Sequence, residues 1–117
     1  MNNEDYQRDG FICLWRTMKN WEWFTDVNTA HLFVYCLISA NHKDKKYKGT
    51  VIKRGSFVTS YSKISAETGL SVQNIRTSLK KLKSTQEITY KTSTKGTVII
   101  VQNYSKYQNY NKRSNNQ

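Results

Sequence analysis

The chain has no proline, and its 117 residues include only two cysteines, two histidines and eight acidic residues. Each shortage removes a class of function. Cys13 and Cys36 with His31 and His42 show neither C-x-x-C nor H-x-x-x-H spacing, so no metal site is expected. Both thiols sit in apolar stretches and read as reduced and buried. Five of the eight carboxylates fall within the first 40 residues, leaving little for general acid–base chemistry. No serine-protease-type triad, P-loop or GxGxxG pattern is present, so neither an enzyme nor a cofactor is expected. No apolar run approaches the roughly 20 residues of a membrane span. The polar N-terminus, MNNEDYQRDG, lacks the apolar core of a signal peptide. A cytoplasmic protein without membrane contact follows. No internal repeat is visible.

What is present is enough for one folded domain: 37 % hydrophobic and 13 % aromatic residues. Its charge is segregated. Residues 1–40 hold three basic and five acidic side chains, whereas residues 41–117 hold sixteen basic and three acidic. The whole excess of +11 therefore lies in the C-terminal two-thirds, and a field of that sign and placement attracts polyanions.

The most informative stretch is SYSKISAETGLSVQNIRTSLKKLKS, residues 60–84. Ser62 is a good N-cap type for a first helix ending at Thr68, with Gly69 just past its end. Ser71 caps a second helix, 71–84, whose Ile75, Leu79 and Leu82 recur at i, i+4 and i+7 on one face. At about 100° per residue, Gln73, Thr77, Lys80, Lys81 and Ser84 take the opposite face, flanked by Asn74 and Arg76. That face carries amide, hydroxyl and cationic groups without a carboxylate, a mixture suited to base edges and phosphates. Two short helices around a glycine turn make a helix-turn-helix pattern. The alternative is an ordinary αα-hairpin with a solvated basic face. Against it, Gly69 precedes Ile75 by six residues, and a β-hairpin follows. Residues 87–92 and 97–103 are rich in β-branched and aromatic types, and STKG between them supplies Gly96 for a turn.

The expected fold is therefore α+β, a winged helix-turn-helix with a helical N-terminal extension. Its three-stranded antiparallel sheet is completed by SFVTS (56–60), with Phe57 inward. Residues 1–10 form a polar stub, 11–108 the domain, and 109–117 a flexible tail or the start of a linker. The expected DNA contacts are Ser71, Gln73, Asn74, Arg76, Thr77, Lys80 and Lys81 on the second helix, with Lys91 and Lys95 on the wing.

Upstream, FICLWRTMKNWEWF (11–24) reads as an extended lead-in passing into a helix. Asp26 or Asn28 then caps a helix to about Asn41, with Ala30, Phe33, Val34, Leu37 and Ile38 as its apolar stripe. Leu32, Tyr35 and Cys36 widen that surface, so this helix is either central or covered by a second subunit. Trp15, Trp21, Leu32 and Tyr35 are the candidate homo-oligomer interface. His31 reads as a partly exposed helix residue. NHKDKKYKGTVIKRG (41–55) reads as a basic loop leading into a strand, either solvated or in contact with phosphates. Tyr104 and Tyr107 would pack back on the sheet.

The segments ANHKDKK, IKRGSFVTS, TGLSVQNIRTSLKKLKS and EIT, within a similarity running from about Gly10 to Gln108, resemble the N-terminal domain of DnaD-like phage and Gram-positive replication proteins. The resemblance implies a winged-helix fold and a place in replication initiation or helicase loading. Its members usually continue through an Asn/Gln-rich linker into a second, helical domain, and in some the winged helix serves oligomerisation more than DNA contact. Double-stranded DNA, a second copy of the chain and other replication proteins are the expected partners. A protein-interaction module with weak DNA binding and a phage transcriptional regulator are the alternatives.

Overall fold

Asp26 sets the start of the first long helix. In the computed structural model, which describes residues 10–108, its carboxylate accepts from the Thr29 N–H at 3.2 Å, and helix α1 runs Val27–Ser39. The buried side of α1 is Thr29, Leu32, Phe33, Cys36 and Leu37. This is the expected stripe rotated: Ile38 is 64 % exposed, and Ala30 and Val34 are only half-buried. Thr29 can lie inside because its hydroxyl donates to Ser78 Oγ at 3.0 Å, which satisfies the one polar group on that face.

After α1 the basic segment is not a plain loop. Strands β1 (Lys45–Tyr47) and β2 (Thr50–Ile52) pair antiparallel, with Lys45 opposite Ile52 and Tyr47 opposite Thr50. Lys48 and Gly49, both at positive φ (49° and 78°), make the two-residue turn that suits such a hairpin. Strand β3 (Ser56–Thr59) then leads into α2 (Tyr61–Thr68). The cap is Ser60 rather than Ser62: Ser60 Oγ accepts from the Lys63 N–H at 3.1 Å. Gly69 closes α2 with φ 80°.

Helix α3 (Val72–Ser84) is capped by Ser71, whose Oγ accepts from the Asn74 N–H at 3.1 Å. Strands β4 (Ile88–Ser93) and β5 (Gly96–Val101) follow as an antiparallel hairpin. β5 lies in the middle of a three-stranded sheet ordered β3-β5-β4, with Phe57 opposite Ile99 and Tyr90 also opposite Ile99. The last element is a short helix, α4 (Tyr104–Gln108), which the polar composition of this segment had concealed.

One core joins these parts. Leu32, Phe33, Cys36 and Leu37 of α1, Ile64 of α2, and Ile75, Leu79 and Leu82 of α3 pack with Phe57, Ile88, Ile99 and Val101 of the sheet. Tyr104 is buried with them, as expected, and Tyr107 is half-buried against the same core. Among the described residues, four α-helices and a three-stranded antiparallel sheet thus form a single α+β domain.

The N-terminal segment departs most from expectation. Residues 16–20 form a 3-10 turn followed by further turns, not an α-helix. On a continuous helix Trp21 would point roughly opposite to Trp15 and Trp23. Here the three indoles reach three separate anchors. Trp15 Nε1 donates to the Tyr107 carbonyl at 3.0 Å, Trp21 packs on Phe33 with centroids 5.0 Å apart, and Trp23 Nε1 donates to Thr85 Oγ1 at 2.9 Å. Gln108 completes the attachment, accepting from the Cys13 N–H at 2.7 Å and donating to the Cys13 carbonyl at 3.0 Å. Cys13 is only half-buried, whereas Cys36 is enclosed, and burial pushes its thiol up to about 12. The expected stub at residues 1–10, apart from Gly10, and the tail at 109–117 lie outside the described residues.

Candidate nucleic-acid interface

Helix α3 has three kinds of surface. Ile75, Ser78, Leu79 and Leu82 face inward. Its flanks carry cations seated on aromatic rings from three different elements. Arg76 lies over Tyr61 at 4.9 Å, Lys83 over Tyr90 at 5.3 Å, and Lys81 over Trp23 at 5.6 Å. Between the flanks, Gln73, Thr77, Lys80 and Ser84 are exposed. Gln73 Nε2 reaches Thr77 Oγ1 at 3.5 Å, and Lys80 has no hydrogen-bond or ion-pair partner among the described residues.

Lys81 does not behave as a member of that open group. Its Nζ sits 2.6 Å from Asp26 Oδ2, and its side chain is only 40 % exposed. The Lys81 hydrogen bond holds the Asp26 carboxyl below the usual carboxylate range, with the Thr29 backbone assisting. Lys81 thereby joins α3 to the start of α1, and its ammonium, expected on the open face, is engaged by Asp26. Lys83, which sequence spacing did not single out, is exposed at the flank aligned with Arg76.

The other expected residues divide. Ser71 spends its oxygen as a cap acceptor, leaving its hydroxyl hydrogen free to donate outward. Asn74 is exposed beside it. Lys95 occupies the tip of the β4–β5 hairpin, where its N–H donates to Ser93 Oγ at 3.2 Å. Lys91 is also exposed, but the pleat separates it from α3. Ile88 and Tyr90 turn toward the core, so Lys91 shares the outer sheet face with its partner Val98. Lys80 and Lys91 therefore do not belong to one surface.

Among the described residues, carboxylates are kept off the open centre of α3. Asp26 holds Lys81, Asp44 holds Lys53 at 3.5 Å, Glu67 accepts from the Tyr35 hydroxyl at 2.6 Å, and Glu87 accepts from Thr85. Glu22 lies in the N-terminal segment.

The expected interface residues are likewise split. Leu32 has no accessible surface and belongs to this chain's own core, so its side chain offers nothing to a second copy. Trp21 and Tyr35 are half-buried, and only Trp15 is exposed. More exposed are two neighbours that were not among the expected interface residues, Phe11 at 81 % and Leu14 at 53 %. Beside them opens a cavity of about 500 Å³ lined by Trp15, Met18, Trp21, Phe33, Leu37 and Tyr107. His31 is exposed, with Nε2 3.0 Å from the Thr68 carbonyl. Among the described residues no group of His, Cys, Asp and Glu could hold a metal, and no helix is long and apolar enough to cross a membrane.

Comparison with protein-family models, with curated proteins and with solved structures finds no match for this chain.

Proposed function

We propose that this domain is a winged helix-turn-helix that binds double-stranded DNA. Helix α3 enters the major groove and the β4–β5 hairpin acts as its wing. The observation that carries this reading is the open centre of α3. Gln73, Thr77, Lys80 and Ser84 stand exposed between ring-seated cations, while Asp26, Asp44, Glu67 and Glu87 all face other partners. Gln73, Asn74 and Thr77 contact base edges; Arg76, Lys80 and Lys83 contact phosphates; Lys95 anchors the wing. The resemblance to DnaD-like proteins adds a setting, replication initiation of the phage type.

The test is a comparison of duplexes differing at single base pairs. Gln73→Ala changes the ranking of sequences, by about 1–3 kcal/mol at one or two positions, whereas Lys80→Ala weakens all duplexes alike. Equal loss on every sequence for Gln73→Ala removes the base-reading role. A selected target with two-fold symmetry would favour the transcriptional-regulator alternative.

A second reading rests on a different observation. The exposed Phe11 and Leu14 beside the apolar cavity suit a protein contact, which makes self-association or docking to a replication protein the competing role for this domain. Molar mass in solution across a concentration series, with and without Phe11→Ser, tests it directly.

A further inference from the structure

The β1–β2 hairpin is a strongly basic element that α3 and the wing do not account for. Lys43 precedes it, and Lys45, Lys46 and Lys48 lie along it. All are exposed, and none has a carboxylate at ion-pair distance among the described residues. Lys53 and Arg54 differ, because they serve the hairpin's base. Asp44 binds Lys53 and also accepts from the Arg54 N–H at 2.8 Å. Arg54 Nη1 donates to the His42 carbonyl at 2.7 Å, and its guanidinium lies over Tyr104 at 5.0 Å. Asn41 adds two backbone bonds, donating to Ser56 and accepting from Gly55.

The base is thus fixed to the domain at several points, and Ile52 is buried to seat one face. The rest projects cations. Lys45 and Lys46 are adjacent on β1 and Lys48 stands in the turn two residues beyond Lys46, so among the described residues no carboxylate offsets their mutual repulsion. Tyr47 remains 38 % exposed, with Lys48 Nζ 5.2 Å from its ring centroid. A rigidly based finger with uncompensated positive charge is matched by a regular array of negative charge that supplies no competing cation.

We infer that the β1–β2 hairpin is a second nucleic-acid contact, in which Lys45, Lys46 and Lys48 bind backbone phosphates independently of sequence. The choice of nucleic acid as partner rests on the proposed function; the surface itself does not overlap α3 or the β4–β5 hairpin.

The experiment is a duplex-binding titration over a salt series with four proteins. These are the wild type; a finger variant, Lys45→Gln with Lys46→Gln and Lys48→Gln; a charge-matched control, Lys19→Gln with Lys63→Gln and Lys106→Gln; and a Lys80→Gln, Lys95→Gln variant. All the replaced side chains are exposed, and circular dichroism melts verify folding. The finger variant binds at least about tenfold more weakly, and its slope of log affinity against log salt is shallower by about 2 to 3, at about 0.9 for each phosphate that is no longer neutralised. The control changes much less. Equal effects of finger and control variants overturn the inference, because the hairpin then contributes only to a diffuse field. If the finger variant loses slope while the Lys80/Lys95 variant does not, the finger stands and the α3 reading fails. The reverse pattern retains α3 and rejects the finger. No binding by the wild type overturns both.

Discussion

Lys81 Nζ lies 2.6 Å from Asp26 Oδ2, while the same ammonium sits 5.6 Å from the centre of the Trp23 ring. One contact joins the last turns of α3 to the residue that caps α1. It also separates two lysines adjacent in sequence. Lys80 points outward with no partner among the described residues, whereas Lys81 is held. Lys81→Met therefore lowers stability in urea melts by about 0.5–1 kcal/mol and leaves duplex affinity close to that of the wild type. Lys80→Ala does the opposite. A similar drop in affinity from both substitutions would contradict this division of labour.

Acid sensitivity follows from the same pair. Asp26 has a carboxyl held below its ordinary value, mainly by the Lys81 hydrogen bond. A depressed folded-state pKa means stability that is complete above the unfolded-state value of about 3.9 and is lost as pH falls through the folded value. The loss thus falls below about pH 4. Asp26→Asn keeps a good N-cap side chain but removes the charge. It flattens that part of the stability–pH curve and costs about 0.5–1 kcal/mol at neutral pH. Asp26→Ala removes cap and charge together and costs about 1–2 kcal/mol. Melting curves from pH 3 to 7 on the three proteins measure both effects.

Among the five glycines, Gly55 is the least tolerant of an added side chain. Its φ is 84°, and a Cβ there would meet Tyr104 Cβ at 2.7 Å. Gly55→Ala combines left-handed strain with a clash against a buried ring, at a cost of about 2 kcal/mol or more. Because Asn41 and Arg54 bind the same turn, the substitution also loosens the β1–β2 hairpin. Faster amide exchange in residues 45–52, alongside the lower melting temperature, is the expected result.

The inward face of α3 was legible because Ile75, Leu79 and Leu82 repeat at helical spacing, and all three have no accessible surface. Its outward face was legible by subtraction. The withdrawal of Lys81 from that face was not, because its partner Asp26 is 55 residues away and local pattern marked it only as a cap. Helix α1 illustrates a different limit. With apolar residues nearly all round, periodicity could not choose which side to bury, and the Thr29–Ser78 hydrogen bond allowed a polar residue inside while Ile38 stayed out. Strand β2 falls within the strand expected after the basic loop, but β1 and its pairing with β2 were not legible because KKYKGT has no alternation; Ile52 alone marks an inner face. The start of α2 was misplaced by two residues because Ser60 and Ser62 are chemically equivalent caps, and the extended backbone at Ser60 decides between them.

The most direct test of DNA binding through α3 is a duplex titration from about 50 to 200 mM salt, comparing the wild type with Lys80→Ala combined with Lys95→Ala. Contact through Arg76, Lys80, Lys83 and Lys95 contributes about −3.6 to the wild-type slope of log affinity against log salt, and the double substitution makes that slope shallower by about 1.8. An unchanged slope in the double variant would contradict a DNA-reading role for α3, and a dissociation constant weaker than about 100 µM for the wild type at the lowest salt would leave the exposed Phe11 and Leu14 surface as the working face of the domain.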